Sequence, residues 1–366
     1  MLEDLAPNIV RAGLAFPAGL ALGFLARRGR FCTLGAIEDA VYAADTRRLR
    51  AWALAAAVAM IGTQILAVQT GFDLSRSIYV GPRLEWGGAV IGGLLFGVGM
   101  ALVGTCGFGT LLRLGGGDLK ALLAFLVIGV ASYMAMHGLT AVVRLQLVDP
   151  LAADLAPRAS QTVGDLLGLS ASGKAVSVAV VVLALLGLVF ADRSFRRSRL
   201  LIVTGIGVGL LVVAGWWITG VAGHDPFATR RTESFSFVAP LGETVFYAML
   251  ASGVRIDFPV GAVLGVLAGA FLAALVHGEF RWEAPDDARE VRRHLLGAFL
   301  MGTGGVAALG CTVGQGVTGV STLAVGSFLA IAAIFGGARL GLWWLVERRC
   351  DSGRLSCAPE RRATST

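Results

Sequence analysis

The chain has 366 residues, 56% hydrophobic and 15% charged, where soluble domains carry about 25% charged residues, so a pair of water-soluble domains is excluded. Its formal charge of +7 does not point to nucleic acid, because nearly all the bases are Arg and they cluster at 27–30, 47–50, 193–199, 289–293 and 348–362. Between those clusters lie uncharged runs at 51–72, 86–112, 175–191, 200–222, 258–276 and 295–338, several of them reaching the roughly 20 residues a helix needs to cross hydrocarbon, which predicts an all-α polytopic membrane protein.

In chain order, a first span over 8–26 runs into Arg27-Arg-Gly-Arg-Phe-Cys32-Thr-Leu-Gly35. Residues 36–44 are few and include Glu38 and Asp39; a half-helix buried in protein fits them better than a crossing. Residues 51–72 form the second span, and 73–85, with only two Arg, an outer loop. The third span, 86–104, leads to a glycine-broken stretch around Cys106, and 119–136 is the fourth. Residues 137–174 are a long polar connection expected on the outer side. Spans over 175–191 and 200–222 have no polar cluster and read as lipid-facing scaffold. Residues 223–253 are mixed, with a short interfacial helix expected around 243–251. A span at 258–276 follows, then a charged loop, a span entering a second glycine-broken stretch around Cys311, and a last span over 321–346.

The count comes to about nine spans and re-entrant pieces. Short basic loops face the cytoplasm, which puts the N-terminus outside and the C-terminus inside. Glu3 and Asp4 stand where a secretory leader would carry bases. The expected division is a first repeat over 1–138, an outer connection and scaffold over 139–254, a second repeat over 255–347 and a polar cytoplasmic tail over 348–366. Cys350 and Cys357 in that tail are expected to be reduced and solvated.

The repeat is carried by two cysteine motifs. At a constant offset of 205, Gly92, Gly97, Gly99, Cys106 and Gly109 fall on Gly297, Gly302, Gly304, Cys311 and Gly314. On the span count the two motifs run in opposite directions, as in transporters whose site lies between inverted repeats. A second match disagrees: Phe16-Pro-Ala-Gly-Leu-Ala-Leu-Gly23 resembles Phe258-Pro-Val-Gly-Ala-Val-Leu-Gly265, yet those two spans run the same way.

Glycines in membrane helices commonly serve close packing, and that explanation stands beside the functional one for Gly92, Gly97, Gly297 and Gly302. It does less well for 104–109 and 310–319, where Thr105, Thr110, Thr312, Gln315 and Thr318 accompany the glycines. A helix broken there leaves amides in need of a partner, and an anion is a good one at a helix N-terminus. A buried cysteine is usually a small hydrophobe; Cys106 and Cys311 exceed that reading because they share a registered motif. A neutral thiol is a weak donor and a polarizable contact, suited to a soft anion that must be bound and then released. A metal site is not expected, since His137, His224, His277 and His294 all lie in loops or at span ends, and nothing calls for a cofactor. Arg30, Arg113 and Arg339 border apolar segments, where snorkelling is the plain reading; Arg30 is the best placed to attract an anion. Trp216-Trp217 and Trp343-Trp344 read as interfacial anchors.

At Arg28-Gly-Arg-Phe-Cys32, Gly104-Thr-Cys106-Gly-Phe-Gly-Thr110 with Arg113, and Gly310-Cys311-Thr-Val-Gly-Gln-Gly316, the sequence resembles the YeeE/YedE family of sulfur-compound transporters. It departs from that pattern at Thr105 and Leu309. The resemblance implies uptake of a small sulfur-containing anion, thiosulfate first, across the bacterial inner membrane, with selenium compounds assigned to some relatives. It also implies a relay in which Cys311, Cys106 and Cys32 hand the ion on by transient S–H hydrogen bonds. Gly107, Gly109, Thr110, Thr312, Gly314 and Gln315 would supply donors beside them, and Arg30 would gather the ion. The partners implied are the anion, the bilayer and a cytoplasmic sulfur-carrier protein. The competing reading is a membrane-embedded thiol enzyme that takes sulfane sulfur as a cysteine persulfide, which requires a base beside Cys106. A structural or sensor protein would carry no flux.

Overall fold

In hydrocarbon a backbone amide has no water to bond, so each crossing segment must satisfy its own amides and folds as a helix. The computed structural model describes residues 7–155, 160–224, 231–285 and 287–347; Glu3, Asp4 and the tail with Cys350 and Cys357 lie outside the described residues. The described chain is almost wholly helical, with one short antiparallel pair, β1 (Arg83–Leu84) and β2 (Ala153–Asp154).

The first half runs α1 (Pro7–Arg28), α2 (Thr33–Tyr42), α3 (Arg47–Thr70), α4 (Gly93–Val103, entered by a π turn at Gly88–Gly92), α5 (Gly107–Leu114) and α6 (Leu119–His137). The connection holds α7 (Leu139–Leu147), α8 (Val163–Leu166), α9 (Ala171–Phe190) and α10 (Arg193–Arg197). The second half runs α11 (Arg199–Trp217), α12 (Ala239–Leu250), α13 (Phe258–Val276), α14 (Ala288–Ala307), a π turn at Gly314–Gly319 and α15 (Val325–Leu342). Eight helical stretches among the described residues are long and apolar enough to cross a membrane. Helix α14 falls outside that class because Arg289, Glu290, Arg292 and Arg293 fill its first turns, yet it lies between α4 and α6 at the centre of the molecule.

The helices pack in matching sets. Helix α1 lies along α13 and α3 along α11; α4 crosses α14; α6 lies on α14 as α15 lies on α4. Small residues allow these contacts. A Cβ at Gly99 would sit 2.5 Å from the carbonyl oxygen of Gly297, and one at Gly304 would sit 2.7 Å from that of Gly92. The registered glycines of the two motifs are therefore where α4 and α14 touch backbone to backbone.

Two local expectations shift. Helix α11 is no uniform lipid face: Thr204, Val208, Val212 and Trp216 are buried, against α1 and α3. Of the eight spanning stretches among the described residues, α9 is the most open on its sides. The helix expected at the interface is α12, which packs on α6 and α13 and starts in the protein interior, with Pro240, Leu241 and Gly242 buried.

Candidate functional site

Each of the three cysteines stands immediately before a short helix. Cys32 precedes α2, Cys106 precedes α5, and Cys311 precedes the helical turns at 312–320. In each case the chain has just left a longer helix. Gly104, at φ +79°, ends α4, and Leu309, at φ +57°, stands at the same offset of 205 after α14. Left-handed backbone is free for glycine and strained for leucine, so the same break is made twice, once with the residue suited to it and once without.

The free amides of these helix starts find sulfur. Gly109 N donates to Cys106 Sγ at 3.4 Å and Gly314 N to Cys311 Sγ at 3.4 Å. Phe237 N, just ahead of α12, also donates to Cys311 Sγ at 3.3 Å. Cys106 and Cys311 are fully buried, with Cys32 half-buried, and all three are free thiols. Cys32 and Cys311 are the thiol neighbours of Cys106, and the Thr312 side chain is hydrogen-bonded to it. The Thr105 hydroxyl stands 4.0 Å from Cys32 Sγ. Phe108 and Phe237, with ring centroids 4.7 Å apart, close the space around the two buried sulfurs.

Cavities open at either end of α4. One, of about 440 Å3, is lined by Cys32, Thr105, Glu38, His277 and Glu279 together with Arg27, Arg28, Arg30, Arg48 and Arg113. Several of these arginines are fixed. The Arg113 guanidinium donates to Gly104 O at 2.8 Å, that of Arg27 to Leu112 O at 2.7 Å and that of Arg48 to Arg30 O at 2.8 Å. The opposite cavity, of about 410 Å3, is lined by Arg76, Arg83, Arg231, Glu85 and Leu309. A further space of about 20 Å3 lies among Leu309, Tyr79, Gln161, Gln315 and Ser327. Leu309 and Glu85 border both, so the wide space and the narrow one adjoin at these two residues.

The residues expected at the site come together unequally. Cys32, Cys106, Cys311, Gly109 and Gly314 come together as the neighbouring sulfurs and amides just described, and Arg30 lines the larger mouth. Gly107 is buried against the Phe237 carbonyl. The Thr312 hydroxyl is buried beside Cys106, and Oε1 of Gln315 is buried with no partner while its amide nitrogen bonds Ala308 O. Thr110 turns inward: its hydroxyl donates to Cys106 O at 3.0 Å, so it braces α5 and has no donor to spare. Reading the sequence missed Tyr79, Ser236 and Phe237, while Thr105, noted there beside the glycines, stands against Cys32. The signal for two of them was present, since Phe235-Ser236-Phe237 comes shortly before α12 as Phe31-Cys32 comes before α2. No group of three or more His, Cys, Asp or Glu side chains able to hold a metal occurs among the described residues.

A family model described as sulphur transport matches residues 28–340. The thiosulfate transporter TsuA of Escherichia coli (strain K12) is 26% identical over 375 residues, covering 96% of this chain and 99% of that protein. The thiosulfate transporter TsuA of Spirochaeta thermophila is 28% identical over 349 residues, covering 90% of this chain and 98% of that protein. The probable transporter YedE of Escherichia coli (strain K12) is 36% identical over 110 residues, which is 30% of this chain and 25% of that protein.

Proposed function

The chain belongs to the sulphur-transport family, and on that premise we propose that it takes up a small sulfur anion, thiosulfate first, along its three free thiols. The observation that carries this reading is a set of neighbouring free thiols, with Cys32 lining one arginine-rich cavity and a second such cavity at the other end of α4. Positive mouths concentrate an anion before it enters. Each buried sulfur already accepts an amide hydrogen, which leaves the S–H free to point at a passing ion. Thiol donors are weak, so no station holds the ion long enough to stop flux. The order of stations is Cys311, Cys106 and Cys32.

The matched packing supports an inverted pair of repeats. In this reading α1 to α6 correspond to α11 to α15, the π turn at Gly314–Gly319 standing for α5, with α7 to α10 as an insertion, so the second unit begins near residue 199. The Arg-rich segments at 27–30, 47–50 and 193–199 then share the cytoplasmic side of the inner membrane with the C-terminus. A cytoplasmic sulfur-carrier protein would receive the ion at the Cys32 mouth.

Uptake of radiolabelled thiosulfate into proteoliposomes tests the reading, with sulfate, sulfite and selenite as competitors. Cys106→Ala and Cys311→Ala are each expected to remove uptake while the protein remains in the membrane. Full uptake by both variants would sink the relay. A thiosulfate-dependent persulfide on Cys106, seen by mass spectrometry, would favour an enzyme instead.

A further inference from the structure

The three thiols do not complete the symmetry of the site. Cys32 stands directly before α2, and Ser236, at an offset of 204, stands three residues before α12. The surroundings match as well as the positions. Phe31 stacks on Trp52 near the start of α3 at 4.3 Å, and Phe235 lies against Phe258 at the start of α13 at 5.4 Å. Cys32 Sγ stands 4.0 Å from Thr105 Oγ1, next in sequence to Cys106, and Ser236 Oγ stands 3.9 Å from Cys311 Sγ. Cys32 and Ser236 are both half-buried, whereas the two thiols between them are fully enclosed. The Ser236 hydroxyl also meets the Tyr79 phenol, and Tyr79 lines the narrow space beneath the Arg76, Arg83 and Arg231 cavity.

We propose that Ser236, with Tyr79, is a fourth binding station, the first one an anion meets after passing Leu309. It is the outer counterpart of Cys32. The inference rests on the sulfur-anion transport reading and adds a residue to it. A hydroxyl is a stronger donor than a thiol, so the route begins with a firmer grip and continues with weaker ones. That order suits capture from a dilute outer medium, and it makes position 236 a place where affinity is set separately from turnover.

Three proteins in proteoliposomes decide it: the parent, Ser236→Ala and Ser236→Cys. Ser236→Ala is expected to raise KM for thiosulfate about tenfold, the loss of one hydrogen bond to a charged group, with the maximal rate changed far less. Ser236→Cys should bring KM back to within about threefold of the parent, since a weaker donor is restored. A Ser236→Ala variant that transports with the parent's KM overturns the proposal. A purely structural hydroxyl would lower yield or melting temperature and leave KM alone, which also overturns it. Should the alanine variant fail to insert, the cysteine variant decides through labelling. An impermeant maleimide added outside should modify Ser236→Cys above the parent's level, and thiosulfate should slow that reaction; no labelling, or labelling without protection, counts against the station. If the parent itself moves no thiosulfate, the transport reading fails. Protection at position 236 would then still register an anion bound there.

Discussion

A thiol whose sulfur accepts an amide hydrogen still has its own proton to offer an anion. That is the condition of Cys106 and Cys311, and it makes the identity of the donor atom matter more than its presence. Cys311→Ser is therefore expected to hold the ion harder: KM falls or stays level while the maximal uptake rate drops about tenfold, because a stronger donor delays release. Equal rates in the two proteins would rule out donor strength as the tuning variable. Single residues also decide the outer connection. Burial works against the charge of Asp165, but the Lys174 ammonium and the Ser160 and Thr162 hydroxyls outweigh it and hold its carboxyl below the usual range. A lowered carboxyl stabilises the fold above the ordinary carboxylate pKa and loses that contribution as pH falls through its folded value. Residues 160–174 should thus exchange their amides faster below about pH 4, and Asp165→Asn should show that faster exchange already at pH 7. Lys174 is half exposed, which keeps the effect below about 1 kcal/mol.

At the scale of elements, the glycines explain both a success and a confusion in the sequence. The offset of 205 that joins the two cysteine motifs was readable because α4 and α14 press the same glycines against one another. The competing match between the Phe16 and Phe258 strings has a different origin. Helices α1 and α13 lie side by side, with a Cβ at Gly23 falling 2.2 Å from Val266 O and one at Gly265 falling 2.3 Å from Phe16 O. Both strings are the small faces of one seam, so their likeness records a shared contact. Filling that seam should be costly. Gly265→Val is expected to destabilise the protein by about 1–3 kcal/mol, measured as a lower melting temperature in detergent, whereas Gly13→Val, with nothing near its Cβ, should change little. What could not be read was the role of α11 and α12. Their apolar composition is the same whether the neighbour is lipid or protein, and Ser236 follows Arg231-Thr-Glu-Ser234, where one more hydroxyl does not stand out.

For the whole molecule, the class, the all-helical architecture and the broken helices were legible because a bilayer leaves a chain few other choices. The cavities were not, since they collect arginines from α1, α3 and α5 at one end and from the loops before α4 and α12 at the other. Charge at these mouths acts through solvent and is screened by salt. Raising ionic strength from about 0.05 to 0.5 M should therefore raise the apparent KM for a divalent anion several-fold with little change in maximal rate, and Arg113→Gln should flatten that dependence for export from loaded vesicles. The two basic mouths have a further consequence for energetics. Being of the same sign, they favour entry from either face and give the passage no preferred direction. An interior-negative potential of about 100 mV opposes an incoming dianion by about 4.6 kcal/mol, which at rest would hold its internal level about 2000-fold below the external one. Net import through such a conduit is then governed by how fast the cell's own chemistry consumes the ion on arrival.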